Sequence, residues 1–344
     1  MEGIKNTIEK ELRAYSRRLD SGYRLTSLSP LLASRLKEFI LRPGKRLRPS
    51  LFVLGYKAYA RRPAPGLYRS ALSFELLHDF MLIHDDIIDR SPLRRGKPSL
   101  HAMFERHFRP VRGVKASGAD FALVCGDILY ALAMEAFVSV KEKTARKEAA
   151  LRKFIRAALF TGCGEFVELE LASRPLERIR EEEIYRVYDL KTAYYTFAYP
   201  LSVGATLAGA GRREADKIFE YGVCLGRAFQ ILDDILGMFA TEKAIGKSVL
   251  TDLQESKKTL LVWYAYNRLS KRRKKDLLAL LNKKKIGARD LTAMRLLLVD
   301  SGALDFARGR IQLLTKKAAR LNAALDISNS HKRLLDRLSR TILA

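Results

Sequence analysis

Two aspartates at helical spacing, Asp85 and Asp89, close the apolar run ELLHDFMLIHDDIID at residues 75–89, with Asp86 between them. On a helix, positions i and i+4 share a face, so the two carboxylates point the same way and repel each other. A cation relieves that repulsion, and carboxylate oxygens are hard ligands suited to magnesium. Arg94, Arg95 and Lys97 follow directly in the chain. A cation site beside basic side chains points to a phosphate-bearing ligand that shares the metal with the carboxylates.

A second stretch repeats the pattern. MLIHDDIID at 81–89 is echoed by FQILDDILG at 229–237, each an apolar helical run ending in an aspartate pair. The separation is far too long for a solenoid repeat. Two such helices facing each other in a bundle would put both sets of carboxylates on one cavity. RPGKRLRPS at 42–50 adds basic chemistry: Pro43-Gly44 forms a turn, Pro49 suits the first turn of a helix, and Lys45, Arg46 and Arg48 crowd between them. Basic side chains beside the unpaired N–H groups of a helix start form an anion pocket.

These residues need long helices to position them. Apolar periodicity is helical almost everywhere, with no sustained alternation that demands strands. Helices are expected near 2–20, 29–41, 49–60, 66–90, 118–139, 144–172, 180–188, 189–209, 213–238, 256–268, 273–282, 288–300, 302–324 and 329–342. Turns are marked by Pro43-Gly44, Pro63–Gly66, Ser91-Pro92, Gly209–Gly211 and Gly287. Residues 240–255, around Gly246-Lys247, read as a loop. The fold class is therefore all-α, a large helical bundle around a central cavity. No Pro/Ser/Gly-rich linker divides the 344 residues, so a single domain over 1–344 is expected.

With 48% hydrophobic and 30% charged residues, the composition is that of an ordinary globular protein. The net charge of +26 would attract polyanions or anionic membranes, but charge alone speaks of non-specific association rather than activity. No nucleic-acid-binding motif accompanies it, so no specific nucleic acid is expected, while a peripheral membrane contact fits the charge. Cys125, Cys163 and Cys224 are odd in number, widely spaced and set in apolar stretches, which argues for buried thiols in a reducing compartment. The N-terminal residues have no apolar core of signal-peptide type. The apolar stretch 119–140 is interrupted by Asp120 and Asp127, which argues against a membrane span. The expected location is the cytoplasm.

Taken in order, GKRLRP, ELLHDFMLIHDDIID, RRGKPSLH, LKTAYYTF, FQILDDIL and a downstream GK…D…KKT resemble the trans-isoprenyl diphosphate synthases, the makers of farnesyl and geranylgeranyl diphosphate. The matches span about 42–259. The resemblance implies an isoprenoid synthase-like fold, usually a homodimer. It also implies magnesium-dependent head-to-tail condensation of isopentenyl diphosphate with an allylic diphosphate: dimethylallyl, geranyl or farnesyl. Three magnesium ions would bind with the allylic diphosphate. Asp85 and Asp89 would hold magnesium with Asp86 in support, and Asp233 would take a further ion with Asp234 beside it. Arg94, Lys191, Thr192, Gln230, Lys247 and Lys257 match positions that bind the allylic diphosphate. Lys45, Arg48, His78 and Arg95 match the pocket for isopentenyl diphosphate. His101 matches a position that orders the RRGKPSL loop.

Three departures stand out. Gly237 replaces a third aspartate of the second motif, Glu165 and Glu168 stand where GQxxD is common, and the gap from Lys247 to Asp252 is one residue longer than usual. In the resembling family, the residues four and five before the first aspartate set product length. Here they are Met81 and Phe80, with Leu77 a turn earlier; that pattern implies a C20 product, with C15 next. Helical geometry sets Phe80 roughly 140° around the helix from Asp85. Rival readings are a terpene cyclase or head-to-head synthase, against which Lys45, Arg48 and Arg95 count, and a catalytically silent regulatory subunit. Silent subunits typically lose motif aspartates, and all five remain here.

Overall fold

The computed structural model describes residues 2–240, 257–283 and 285–343. The chain is helical, and among the described residues the strands are limited to a two-residue antiparallel pair, Leu93–Arg94 with Lys97–Pro98. Contacts divide it into two compact units, residues 1–152 with 203–210, and residues 153–202 with 211–344.

The first unit contains α1 (Glu2–Tyr23), α2 (Leu25–Leu28), α3 (Pro30–Ile40), α4 (Leu47–Tyr59), α5 (Leu67–Ile88), α6 (Leu100–Phe108) and α7 (Gly118–Val138). Its spine is α5 packed along α7, with α1, α4 and α6 alongside. Phe52 of α4 meets Phe74 of α5 at 5.6 Å and Phe137 of α7 at 6.4 Å between ring centroids, pairs that add about 1 kcal/mol each beyond burial. Gly66 starts α5 at φ 81°, and a Cβ there would stand 2.4 Å from the Ser139 carbonyl oxygen, so only glycine fits this turn. Asp120 does not interrupt α7. Its side chain accepts from Ser117 N–H at 2.7 Å while Ser117 Oγ accepts from Asp120 N–H at 3.2 Å, a reciprocal cap. By length and composition α7 is long and apolar enough to cross a bilayer, and 44% of that stretch is buried within the protein.

The second unit carries most of α8 (Thr144–Ser173), a 3-10 turn at Leu176–Arg178, α9 (Glu181–Val187), a π-helical segment at Tyr188–Ala198, and the start of α10 (Tyr199–Ala208). It continues with α11 (Arg212–Phe239), α12 (Leu260–Arg268), α13 (Lys271–Leu281), α14 (Ala288–Asp300), α15 (Ala303–Ala323) and α16 (Asn329–Leu343). The core of this unit gathers Ile231, Ile235 and Met238 of α11 with residues of α9 and α12–α15. α11 packs closely on α15 and on the π-helical segment. Gly226 explains the second contact, because a Cβ there would stand 2.3 Å from the Cα of Ala193.

Most expected helices are present within a few residues. The sequence reading missed α6 and the short strand pair, and it read the π-helical segment as part of one helix over 189–209. α6 is short and shows only Leu100 and Phe104 as buried residues at i and i+4, too little periodicity to declare itself. Cys125 and Cys224 are buried as expected, but Cys163 is exposed: α8 turns it outward from its apolar neighbours. The loop expected over 240–255, and with it Lys247, lies outside the described residues apart from Ala240.

Candidate active site

In the first unit, α5 delivers the first aspartate motif at its C-terminus. Asp85 and Asp89 are both partly exposed, and Asp89 caps the helix by donating its N–H to the Asp85 carbonyl at 2.8 Å. Asp86, about 100° around the helix from Asp85, is 1% exposed and receives Arg94 Nη2 at 2.5 Å and Nε at 2.7 Å. Burial raises the Asp86 carboxyl above its usual range and Arg94 opposes that shift. The helix thus separates two partly exposed carboxylates from a third that is engaged inside the protein, and Arg94 is engaged with it.

The basic loop before α4 also divides. Arg46 is 1% exposed; it reaches Glu75 at 2.6 Å, Glu9 at 2.8 Å and the Arg42 carbonyl at 2.7 Å. It therefore serves the core, which corrects its place in the expected anion pocket. Lys45 is exposed and Arg48 partly exposed. Arg95, at φ 54°, lies 3.6 Å from Glu75 and 3.7 Å from Asp79. Asp79 is fully buried, and both its oxygens lack a hydrogen-bond partner. Burial, and then Glu75, push its carboxyl well above the usual range. Burial, followed by Arg48, Arg95, Arg94 and Arg46, holds the His78 imidazole well below its usual range, so it is neutral at pH 7. Sequence reasoning did not single out Glu75 or Asp79 for a role. Their signal was two acids at i and i+4 inside an apolar run.

Upstream on α5, Leu77 is buried in the core while Phe80 and Met81 are partly exposed. Phe80 packs on His84 at 4.5 Å and on Tyr130 of α7 at 5.4 Å between centroids. A Cβ at Gly126 would stand 2.6 Å from His84 and 3.4 Å from Phe80, so α7 comes close to α5 at this level. Phe80 therefore lies on the α7 side of α5, in keeping with its angular separation from Asp85.

In the second unit, two of the phosphate-binding candidates, Thr192 and Gln230, are hydrogen-bonded in series to the second aspartate motif, while Lys191 is held separately. Lys191 Nζ lies 2.5 Å from both Glu165 and Glu168 of α8, so the two departures from GQxxD hold this lysine. Gly164 permits the approach, since a Cβ there would stand 2.6 Å from the Lys191 nitrogen. Thr192 Oγ1 donates to Gln230 Oε1 at 2.6 Å, and Gln230 Nε2 donates to Asp234 Oδ1 at 2.9 Å. The Tyr188 hydroxyl donates to Asp234 Oδ2 and accepts the Leu260 N–H at 2.9 Å. Arg227 grips Asp189 with two contacts of 2.6 Å. Asp233 is exposed, and Lys257 lies partly exposed just before α12. Tyr188 belonged to no motif and was not anticipated.

No cluster of three or more His, Cys, Asp or Glu side chains forms a complete metal cage among the described residues. Magnesium keeps several waters and binds through one or two carboxylates plus substrate phosphates. Asp85 with Asp89 offers such a pair.

A family model described as polyprenyl synthetase matches residues 29–295. Geranylgeranyl diphosphate synthase of Sulfolobus acidocaldarius is 32% identical over 80% of this chain and 78% of its own. Geranylfarnesyl diphosphate synthase of Aeropyrum pernix is 34% identical over 80% of this chain and 81% of its own. The crystal structure of Corynebacterium glutamicum geranylgeranyl pyrophosphate synthase, complexed with isoprenyl diphosphate and magnesium, superposes with a TM-score of 0.90. It is 24% identical, covering 99% of this chain and 98% of that one, and shows the fold to be all-α and isoprenoid synthase-like. The aspartate motifs, the basic loop and the helical fold thus meet in one assignment: this chain belongs to the polyprenyl synthetase family.

Proposed function

We propose that this chain, read as one synthase domain over 1–344, condenses isopentenyl diphosphate head-to-tail with an allylic diphosphate. The product is a short-chain all-trans prenyl diphosphate, C20 favoured over C15. The observation that carries the reading is the network of the second unit, in which Thr192 and Gln230 are hydrogen-bonded onward to Asp234 with Lys191 next in the chain. Side chains suited to a diphosphate and a metal-binding motif share one set of hydrogen bonds there.

Each group then has a task. Asp85 and Asp89 would hold magnesium at the first motif and Asp233 at the second; when bound, magnesium supplies Lewis-acid stabilisation of the departing diphosphate. Lys191, Thr192, Gln230 and Lys257 bind and orient that diphosphate, with fixed positive charge placed where negative charge develops. Lys191 must exchange its two glutamates for the substrate's oxygens. Lys45, Arg48 and Arg95 bind the diphosphate of isopentenyl diphosphate. Arginine offers paired contacts there and lysine a point charge. Neutral His78 serves that pocket as a hydrogen-bonding group without adding charge. The released diphosphate accepts the proton lost on condensation, so no side chain need act as base. Two copies of the chain would form the working unit, because α7 exposes Leu123, Val124 and Val138, an apolar set that pairing would cover. We place the enzyme in the cytoplasm.

The test is to incubate the protein with magnesium, isopentenyl diphosphate and each allylic diphosphate, and to measure product length. Asp85→Ala and Asp89→Ala should each abolish product while the far-UV circular dichroism stays helical. Near-normal turnover in either variant would remove the metal assignment.

A further inference from the structure

We propose that Tyr188 is a positioning residue for the second aspartate motif. Its hydroxyl holds Asp234 and ties that carboxylate to the first backbone amide of α12, the helix entered just after Lys257. The inference rests on the reading that Asp234 and Lys257 serve the allylic diphosphate.

Tyr188 is the first residue of the π-helical segment and is 5% exposed. One phenolic oxygen makes two bonds at once, donating to Asp234 Oδ2 and accepting the Leu260 N–H at 2.9 Å. A phenol can do both, whereas a phenylalanine can do neither. With Gln230 donating to Oδ1 at 2.9 Å, each oxygen of Asp234 accepts a bond from the protein. Asp234 is thereby oriented by the fold itself. Asp233, the next residue back on α11, is exposed. The division matters because Gly237 withholds a third aspartate from this motif.

The other bond gives the tie its consequence. Leu260 opens α12, so its N–H is one of the first-turn donors with no acceptor inside the helix. Thr259 caps Val262 N–H at 3.4 Å, and Tyr188 takes Leu260. The oxygen that orients Asp234 therefore also seats the first turn of α12, three residues after Lys257. Binding of a metal-bearing diphosphate at the second motif and the seating of Lys257 become linked through one side chain.

The experiment uses the full chain carrying Tyr188→Phe, with Asp234→Ala in parallel. Three quantities are measured: the half-saturating magnesium concentration for turnover, both substrate KM values, and calorimetric binding of inorganic diphosphate in the presence of magnesium. Losing one hydrogen bond to a charged group should raise half-saturating magnesium, the allylic KM and the diphosphate Kd about tenfold in Tyr188→Phe, with the isopentenyl diphosphate KM unmoved. A role limited to stability would lower the melting temperature and leave magnesium half-saturation where it was. If Asp234→Ala shifts the magnesium dependence and folded Tyr188→Phe does not, this inference alone falls. If neither variant shifts it, the functional reading of the second motif falls as well. Amide exchange in the unmodified protein decides the matter if Tyr188→Phe does not fold. Protection at Leu260 should rise on adding magnesium with inorganic diphosphate, and an unchanged exchange rate would overturn the proposal.

Discussion

Arg46 and Lys45 are adjacent basic residues in one loop, yet replacing them should produce different failures. Arg46→Met removes a guanidinium that is 0% exposed as a side chain and leaves Glu75, 2% exposed, without its contact at 2.6 Å. Breaking a buried ion pair from one side costs about 3–5 kcal/mol. The lower end applies here, because Arg95 already stands 3.6 Å from Glu75 and inherits part of the pairing, while Glu9 is 26% exposed and rehydrates. In a unit of this size each kcal/mol moves the melting temperature about 2–4 °C, so a loss near 3 kcal/mol predicts a fall of roughly 6–12 °C. Differential scanning fluorimetry and denaturant titration measure it. The substrate KM values of the folded enzyme should stay close to the unmodified ones. Adding Glu75→Gln to Arg46→Met removes the uncompensated charge and should recover part of the loss. A melting temperature unchanged to within about 2 °C, joined to a raised isopentenyl diphosphate KM, would refute the division of this loop into a structural arginine and a substrate-binding lysine.

Lys45→Ala and Arg48→Ala should raise the KM for isopentenyl diphosphate far more than that for the allylic partner, since contacts made equally throughout the reaction with one substrate appear chiefly in its KM; parallel movement of both would reassign the pocket. Phe80→Ala opens space between α5 and α7 beside His84 and Tyr130, and chromatography of the products should show longer chains. Unchanged product from Phe80→Ala with longer product from Met81→Ala would move the floor to the other face of α5. Arg174 holds the Glu183 carboxyl down at about 2, from an ordinary 4.5. A depressed carboxylate contributes stability that is complete above its unfolded value and fades as pH falls toward its folded one. The stability difference between the unmodified protein and Glu183→Gln should therefore be present at pH 6 and shrink between about pH 4.5 and 2 in acid denaturation curves.

Much of this protein is legible in the residues alone. The helices declare themselves through apolar periodicity, and the expected 288–300 element matches α14 residue for residue. Asp85 and Asp89 point to a cation in type and spacing alone, because a carboxylate pair at i and i+4 means the same on any helix, whereas 191–192 and 230–234 gain their expected roles only through the resemblance of LKTAYYTF and FQILDDIL to the family. What spacing cannot convey is which way a charged side chain turns. Arg46 and Lys45 are equivalent as letters, and only packing buries the first against Glu75 and leaves the second exposed. Asp85 and Asp86 are likewise neighbours that differ only in the face they occupy. Glu165 and Glu168 read in the sequence only as departures from GQxxD, and it takes α8 and the π-helical segment to bring them onto Lys191. Tyr188 lies 46 positions from Asp234 and 72 from Leu260, and no local pattern joins them. Local propensity and spacing act within a few turns of chain. A hydrogen bond between a phenol, a carboxylate and a helix's first amide exists only once three separate elements have packed.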